Sequence, residues 1–163
     1  LVVQHMPASF TASFADRLNG ECRVKVVEAT DGAPVVPGTV YIAPGGERHM
    51  ELSGGPRGRI KLRAGEPVTG HRPSVDHLFG SVAPLGNAAV GVIMTGMGQD
   101  GAAGLLAMRR AGARTLGQTR ESCVVYGMPR VAQEMGAVEK EFGLSAMPEA
   151  ILAACRDSRV RID

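Results

Sequence analysis

The stretch AAVGVIMTGMGQDGAAGLLAMRR (88–110) joins a short apolar run to a helical pattern through a glycine-rich loop. The run AAVGVIM (88–94) has the length of a buried strand, and AAGLLAMRR (102–110) repeats apolar residues at helical spacing. A second short strand, ARTLGQ (113–118), follows. Strand, helix and strand in this order predict a β-α-β unit with parallel strands and a right-handed crossover.

The rest of the chain continues this alternation. Apolar residues at helical spacing predict helices after Pro7, after Pro73, in MPRVAQEMG and in PEAILAACRD. LVVQ (1–4) and RVKVVE read as strands, SCVVYG (122–127) as a further strand-like run, and MELS and RIKLR flank GGPRG as a hairpin. We therefore predict an α/β fold: a doubly wound, mainly parallel sheet flanked by helices, with a β-hairpin insertion near 35–63.

Composition narrows the function classes. The chain of 163 residues is 44% apolar with a net charge of +2, and its basic residues are scattered, which argues against a nucleic-acid partner. No apolar run approaches the ~20 residues of a membrane span. Cys22, Cys123 and Cys155 are odd in number and lack metal-site spacing, so we expect reduced thiols in a cytoplasmic protein. The chain starts without methionine inside an apolar run, which predicts a piece of a longer protein.

The loop TGMGQDG (95–101) allows three interpretations. Gly96, Gly98 and Gly101 form the G-x-G-x-x-G pattern of a dinucleotide-binding module. That site needs an acidic residue at the end of the next strand, where this chain has Gln118. Alternatively, Asp100 is simply the N-cap of the following helix.

The third interpretation is catalytic. A carboxylate at a strand end can accept the Nδ1–H of a histidine and so fix its tautomer while the histidine acts as a base. His5 also follows a strand, and the backbone N–H groups of Met97 and Gly98 would be available to hold an oxyanion. This set contains a base, an orienting group and an oxyanion hole, but no nucleophile.

Five blocks resemble, in order and spacing, the catalytic domain of the chemotaxis protein-glutamate methylesterases of the CheB type. They are QHMPASFTASFADRLN, YIAPGGERHMEL, HRPSVDHLF, VGVIMTGMGQDGAAGLLAM and SCVVYGMPR. The resemblance implies a serine hydrolase that removes methyl groups from glutamyl esters on the cytoplasmic helices of chemoreceptors, and in many members deamidates receptor glutamines. It implies His5 as the base, Asp100 as the orienting carboxylate and the Met97 N–H as an oxyanion contact.

The resemblance also places the nucleophilic serine upstream, in a glycine-rich loop that this chain does not contain. Residues 1–163 are therefore expected to be a methylesterase catalytic domain lacking its first strand and nucleophile loop, and inactive as they stand. A receiver domain further upstream is implied for the parent protein; no cofactor or metal is. A non-catalytic fragment that only docks to a partner remains an alternative.

Other side chains could complement this set of residues. Substitute nucleophiles are conceivable but poorly placed; they are Ser9, Ser13, Ser74, Ser122 and Cys123, of which Cys123 reads as a buried, inert thiol. His49 and His77 are expected on partly exposed faces. His71 is expected to line the site, and Arg72 to meet an acidic receptor surface.

Overall fold

A computed structural model describes residues 1–157. These residues form two compact units, Leu1–Leu78 and Phe79 onward. The helices are α1 (Ala8–Glu21), α2 (Val75–Val82), α3 (Ala102–Arg110), α4 (Met128–Glu134) and α5 (Met147–Asp157). The strands are β1 (Lys25–Glu28), β2 (Thr39–Ile42), β3 (Arg48–Ser53), β4 (Arg59–Ala64), β5 (Val90–Ile93), β6 (Arg114–Gln118) and β7 (Lys140–Phe142).

In the amino-terminal unit, α1 covers a parallel pair of strands, β1 and β2. Their shared core is made by the buried residues Ala15, Val26 and Ile42, because the apolar positions of α1 recur at helical spacing and meet the inward faces of the strands. The predicted strand at residues 1–4 is reduced to one bridge, in which Val2 pairs with Ile42. That prediction was wrong in extent: only Val2 exchanges hydrogen bonds with β2 and the residue after it.

The predicted hairpin is confirmed. Strands β3 and β4 pair in antiparallel register from Arg48↔Ala64 to Ser53↔Arg59. Met50 and Ile60 are fully buried on its inner face, as the apolar positions of both strands require. The hairpin runs from Arg48 to Ala64, so the predicted segment 35–63 began too early: it included β2, which pairs in parallel with β1.

Helix α2 begins at Val75, and the hydroxyl of Ser74 accepts the N–H of His77 at 3.3 Å. Ser74 is thus a capping residue that satisfies a first-turn donor. Pro73 lies two residues before the first residue of the helix.

The carboxy-terminal unit contains a three-stranded parallel sheet in the order β5-β6-β7. Helix α3 joins β5 to β6, as the β-α-β pattern predicts, and packs against both strands. Strand β7 was not predicted, because it has only three residues and two of them are exposed. The apolar side of α5 packs on this sheet through Met147 and Ala154, which cluster with Leu116.

The described residues thus form a mixed α/β fold with parallel sheets flanked by helices, which confirms the predicted fold class. No helix among residues 1–157 is long and apolar enough to span a membrane.

Candidate active site

The loop between β5 and α3 carries Met97 and Asp100. Gly98 and Gly101 have φ angles of 92° and 90°, the left-handed region that glycine enters without steric cost. Gly101 occupies the N-cap position of α3, so the alternative that Asp100 is the N-cap is off by one residue. Asp100 lies just before the cap and is fully buried. A buried carboxylate is costly unless it is paired or hydrogen-bonded, and at a strand-to-helix turn it is a candidate to orient a histidine.

The side chain of Met97 is largely exposed, and its backbone N–H is unengaged by the rest of the described chain. Its side chain is 79% exposed, which is unusual for a methionine. Within residues 1–157, its backbone N–H donates no hydrogen bond to another group of the chain. A donor in this state is suited to hold a developing oxyanion.

The segment that precedes α4 fastens this loop. The Gly96 N–H donates to the Val125 carbonyl at 3.1 Å, and the N–H groups of Gly127 and Met128 donate to the Gly96 carbonyl at 3.1 and 2.8 Å. The Thr95 hydroxyl accepts the Val125 N–H at 2.9 Å and lies 3.1 Å from its carbonyl. Both peptide groups of Gly96, the residue before Met97, are therefore held by this segment.

Gln118, the last residue of β6, holds both segments. Its side-chain oxygen accepts the Thr95 N–H at 2.8 Å, and its amide nitrogen donates to the Ser122 carbonyl at 2.7 Å and lies 3.2 Å from the Ser122 hydroxyl. Gln118 is 1% exposed. The sequence showed only that it was not the acidic residue a dinucleotide site needs; its structural use went unpredicted.

The same bonds weaken the dinucleotide interpretation. A ribose contact requires a free acceptor at the end of the second strand. The Gln118 oxygen at that place is already bonded to Thr95. Within residues 1–157 no cluster of three or more His, Cys, Asp or Glu side chains is arranged to bind a metal ion.

The run SCVVYG (122–127) is not a strand. It enters through a short 3₁₀ helix (Arg120–Ser122) and continues as a loop in which Val124 is 92% exposed. The apolar letters suggested a buried strand, but the loop makes only one bridge, from Tyr126 to Gly96. The Tyr126 hydroxyl donates to Glu141 at 2.9 Å; burial, this hydrogen bond and the Glu141 charge raise the pKa of Tyr126 to about 12.

The conceivable substitute nucleophiles are engaged elsewhere or poorly activated. Ser13 donates to the Phe10 carbonyl within α1, Ser74 is a buried cap, and the Ser122 hydroxyl belongs to the Gln118 network. Ser9 lies exposed on α1. Partial burial raises the pKa of the Cys123 thiol, which disfavours the reactive thiolate.

In the amino-terminal unit His5 is half-buried and stacks on His71. The ring centroids are 3.7 Å apart and the planes differ by 4°. His71, expected to line the site, thus lies beside the candidate base. Arg72, expected to meet an acidic receptor surface, donates within the chain to the carbonyls of Gly46 at 2.9 Å and Gly65 at 2.7 Å.

His49 was predicted on a partly exposed face and is 1% exposed, so that prediction was wrong. Its Nδ1 accepts the Ser74 N–H at 3.2 Å, and its Nε2 lies 2.9 Å from the Glu66 carbonyl. Because Nδ1 accepts, the proton is on Nε2. These two bonds compensate for burying the ring.

His77 is partly exposed, as predicted. It stacks on His49 with a centroid distance of 4.3 Å and pairs with Glu51 at 2.7 Å. Arg63 contacts the other oxygen of Glu51 at 2.6 Å. Burial of Glu51 raises its pKa, but the hydrogen bonds from Arg63 and His77 outweigh this, and the net pKa is lowered.

Comparisons of the sequence and of the structure with known proteins agree on one family. The chain matches the sequence profile of the family described as CheB methylesterase over residues 1–151. The chain belongs to the CheB methylesterase family. Its structure is similar to the CheB methylesterase catalytic domain of Thermotoga maritima, with a TM-score of 0.87 and 36% identity, over 93% of this chain and 81% of that one.

Relatives of this CheB-family chain are named protein-glutamate methylesterase/protein-glutamine glutaminase. That of Rhizobium etli is 63% identical over 153 residues, covering 93% of this chain and 44% of the relative. One from Caulobacter vibrioides is 61% identical with the same coverages, and one from Bordetella avium is 57% identical over 99% of this chain and 47% of its own length. The chain therefore spans less than half the length of these relatives.

The structure distributes the residues expected from the sequence between the two units. His5 and His71 belong to the amino-terminal unit, whereas Met97 and Asp100 belong to the carboxy-terminal unit. The residues that sequence reasoning missed are Gln118 and Thr95, which hold the loop. Position was the available signal, since both stand at the carboxyl ends of parallel strands, where sites of α/β proteins form.

Proposed function

We propose that residues 1–163 belong to the catalytic domain of a protein-glutamate methylesterase, which hydrolyses γ-glutamyl methyl esters on chemoreceptors. The observation that carries the proposal is the family match over residues 1–151. The names of relatives such as that of Rhizobium etli support the reaction. The nucleophilic serine of the complete enzyme belongs to the part of the protein that precedes this chain.

His5 is the general base of this mechanism and Asp100 its orienting carboxylate. The serine attacks the ester carbonyl while His5 takes its proton. Asp100, fully buried at the turn before α3, accepts the Nδ1–H of His5 and favours the imidazolium that forms. Its burial supports this role, because a carboxylate shielded from water interacts more strongly with a charge beside it.

The Met97 N–H stabilises the oxyanion of the tetrahedral intermediate. The glycines on either side let the backbone present this donor, and the bonds from Val125 and Gln118 fix the loop in advance. Donors held in place before the reaction stabilise the transition state without reorganising. Methanol then leaves with the proton held by His5, and water repeats the cycle on the acyl-enzyme.

Glutamine deamidation is the second reaction we assign to the same site. The relatives carry the name glutaminase as well as methylesterase. Attack on the side-chain amide forms the same glutamyl acyl-enzyme, with ammonia as the leaving group in place of methanol. His5 is the acid that protonates either leaving group.

The partners we propose are the methylated cytoplasmic helices of chemoreceptors, which places the enzyme in the cytoplasm. A receiver domain in the longer protein is part of the same proposal. The reaction as proposed uses only protein groups and requires no cofactor.

A chimera tests the function directly. This chain is joined to the part of the Rhizobium etli relative that precedes the matched region, and methanol release from methylated receptor is measured. We expect turnover by the chimera, none by the 163-residue chain alone, and only a small residual rate by the chimera with His5→Ala.

The pairing of His5 with Asp100 is tested by a double-mutant cycle in that chimera. If the two groups act as a unit, His5→Ala and Asp100→Asn together cost little more than His5→Ala alone. Additive losses would contradict the pairing, and turnover by the isolated chain would contradict the upstream nucleophile.

A further inference from the structure

The stacked partner of His5 is held on a rigid support. His71 exchanges two backbone hydrogen bonds with Val68, at 2.9 and 3.0 Å, which close a tight turn. The next residue, Arg72, donates to the Gly46 and Gly65 carbonyls. His71 is therefore restrained by its own backbone bonds and by the anchored side chain of the next residue.

The backbone near His5 is restrained as well. Val2 exchanges hydrogen bonds with Tyr41 and Ala43, each at 2.9 Å. Further along, the turn at Gly45 lies against the residues that follow His5, so closely that a Cβ at Gly45 would stand 2.7 Å from the Ala8 nitrogen. The near-parallel contact of the two rings, at 3.7 Å, thus joins two anchored segments.

We propose that His71 is a positioning residue for the base. Its ring lies flat against one face of the His5 ring and blocks rotation of the His5 side chain toward that side. The directions in which the two His5 ring nitrogens point are thereby fixed. When His5 becomes an imidazolium, the His71 ring also faces the cation with its π system, an attractive arrangement. This inference rests on the proposed role of His5 as the base.

A purely structural role for the stack makes a different prediction. Packing alone would lower stability on removal of the ring and leave turnover by the folded enzyme unchanged. A positioning role lowers kcat without a matching change in KM, because orientation of the base matters in the transition state and not in substrate binding. The two roles are therefore separable by kinetics.

The first experiment compares variants of the chimera described above. His71→Ala is expected to lower kcat about tenfold with KM changed less than about twofold, and His71→Phe, which keeps a flat ring, to recover most of the loss. The matched control is His77→Phe, which alters a histidine stacked on His49 and not on His5, and is expected to keep kcat within about twofold. An unchanged kcat in folded His71→Ala, or no recovery by His71→Phe, overturns the inference.

The second experiment needs no activity. In the 163-residue chain, the three-bond couplings of the His5 β protons report its side-chain rotamer. We expect one rotamer in the native chain and in His71→Phe, and averaging in His71→Ala. An inactive unsubstituted chimera would count against the proposed function, whereas an unaltered His5 rotamer in His71→Ala would count against this inference.

Discussion

Gln118 accepts the backbone N–H of Thr95 in a 2.8 Å hydrogen bond that joins the ends of two neighbouring parallel strands. Thr95 begins the loop that carries Met97, and the other end of the Gln118 amide holds Ser122. One buried side chain thereby sets the spacing between the loop with the proposed oxyanion donor and the segment that fastens it.

Gln118→Met tests this link. The methionine fills a similar volume but removes the acceptor of the Thr95 N–H, and the loss of one such hydrogen bond costs about 0.5–1.5 kcal/mol. The free energy of unfolding, measured by urea denaturation, should fall by that amount. Gln133→Met on the exposed face of α4 is the control, expected within about 0.5 kcal/mol of the native chain. Equal effects of the two substitutions would argue against the role of Gln118.

Gly127→Ala is expected to disturb the loop through its backbone. A Cβ at Gly127 would stand 2.6 Å from the Gly96 carbonyl oxygen and 3.2 Å from the Met97 Cα, and backbone atoms cannot step aside. We expect a loss of about 1–3 kcal/mol in unfolding free energy from overpacking, and faster hydrogen exchange at the Gly96 amide. Gly143→Ala, where nothing lies within 4 Å of the added carbon, is the matched control. Unchanged exchange at Gly96 would show that the contact is not as tight as described.

Asp100→Asn in the active chimera should reduce kcat by about 10⁴-fold, since an amide at this position favours the wrong tautomer of the base. Initial rates of methanol release measure the effect, and near-native thermal unfolding of the variant excludes misfolding. A loss smaller than about tenfold would assign Asp100 to the support of the turn instead.

The substitution Glu51→Gln is expected to lower the free energy of unfolding by an amount that depends on pH. The folded-state pKa of Glu51 is lowered from its ordinary value of 4.5, so its ionised form stabilises the fold above that value and the contribution disappears as pH falls through the folded pKa. The native chain should therefore be more stable than Glu51→Gln at about pH 7, and the difference should shrink at about pH 3. Urea denaturation at both pH values gives the comparison, with exposed Glu21→Gln as the control. A difference that does not depend on pH would contradict the ion-pair account.

The sequence predicted those parts of the fold in which pattern and burial agree. The unit from β5 through α3 to β6 follows from an apolar run and a helical repeat, and the β3–β4 hairpin from its glycine-rich turn. Patterns failed where tertiary contacts decide. Val124 and Val125 look like strand residues but are exposed in a loop, and β7 is too short to have a period.

The candidate site was predictable only in its motif residues. His49 and Met50 are adjacent and both buried, which breaks the alternation that a strand normally shows and misled the prediction for His49. The role of Gln118 depends on Thr95, which lies 23 positions earlier, and on Ser122. No local pattern encodes such a pairing, because the partners meet only after the sheet has formed.

The two ring nitrogens of His49 contact the Glu66 carbonyl and the Ser74 N–H, so one imidazole ties together both ends of the segment that presents His71. Random mutagenesis of the chimera, scored by methanol release, should consequently return position 49 among the apparent catalytic positions, although its side chain is buried. Kinetic and folding measurements on the same variants are therefore needed to distinguish catalytic residues from residues that only position them.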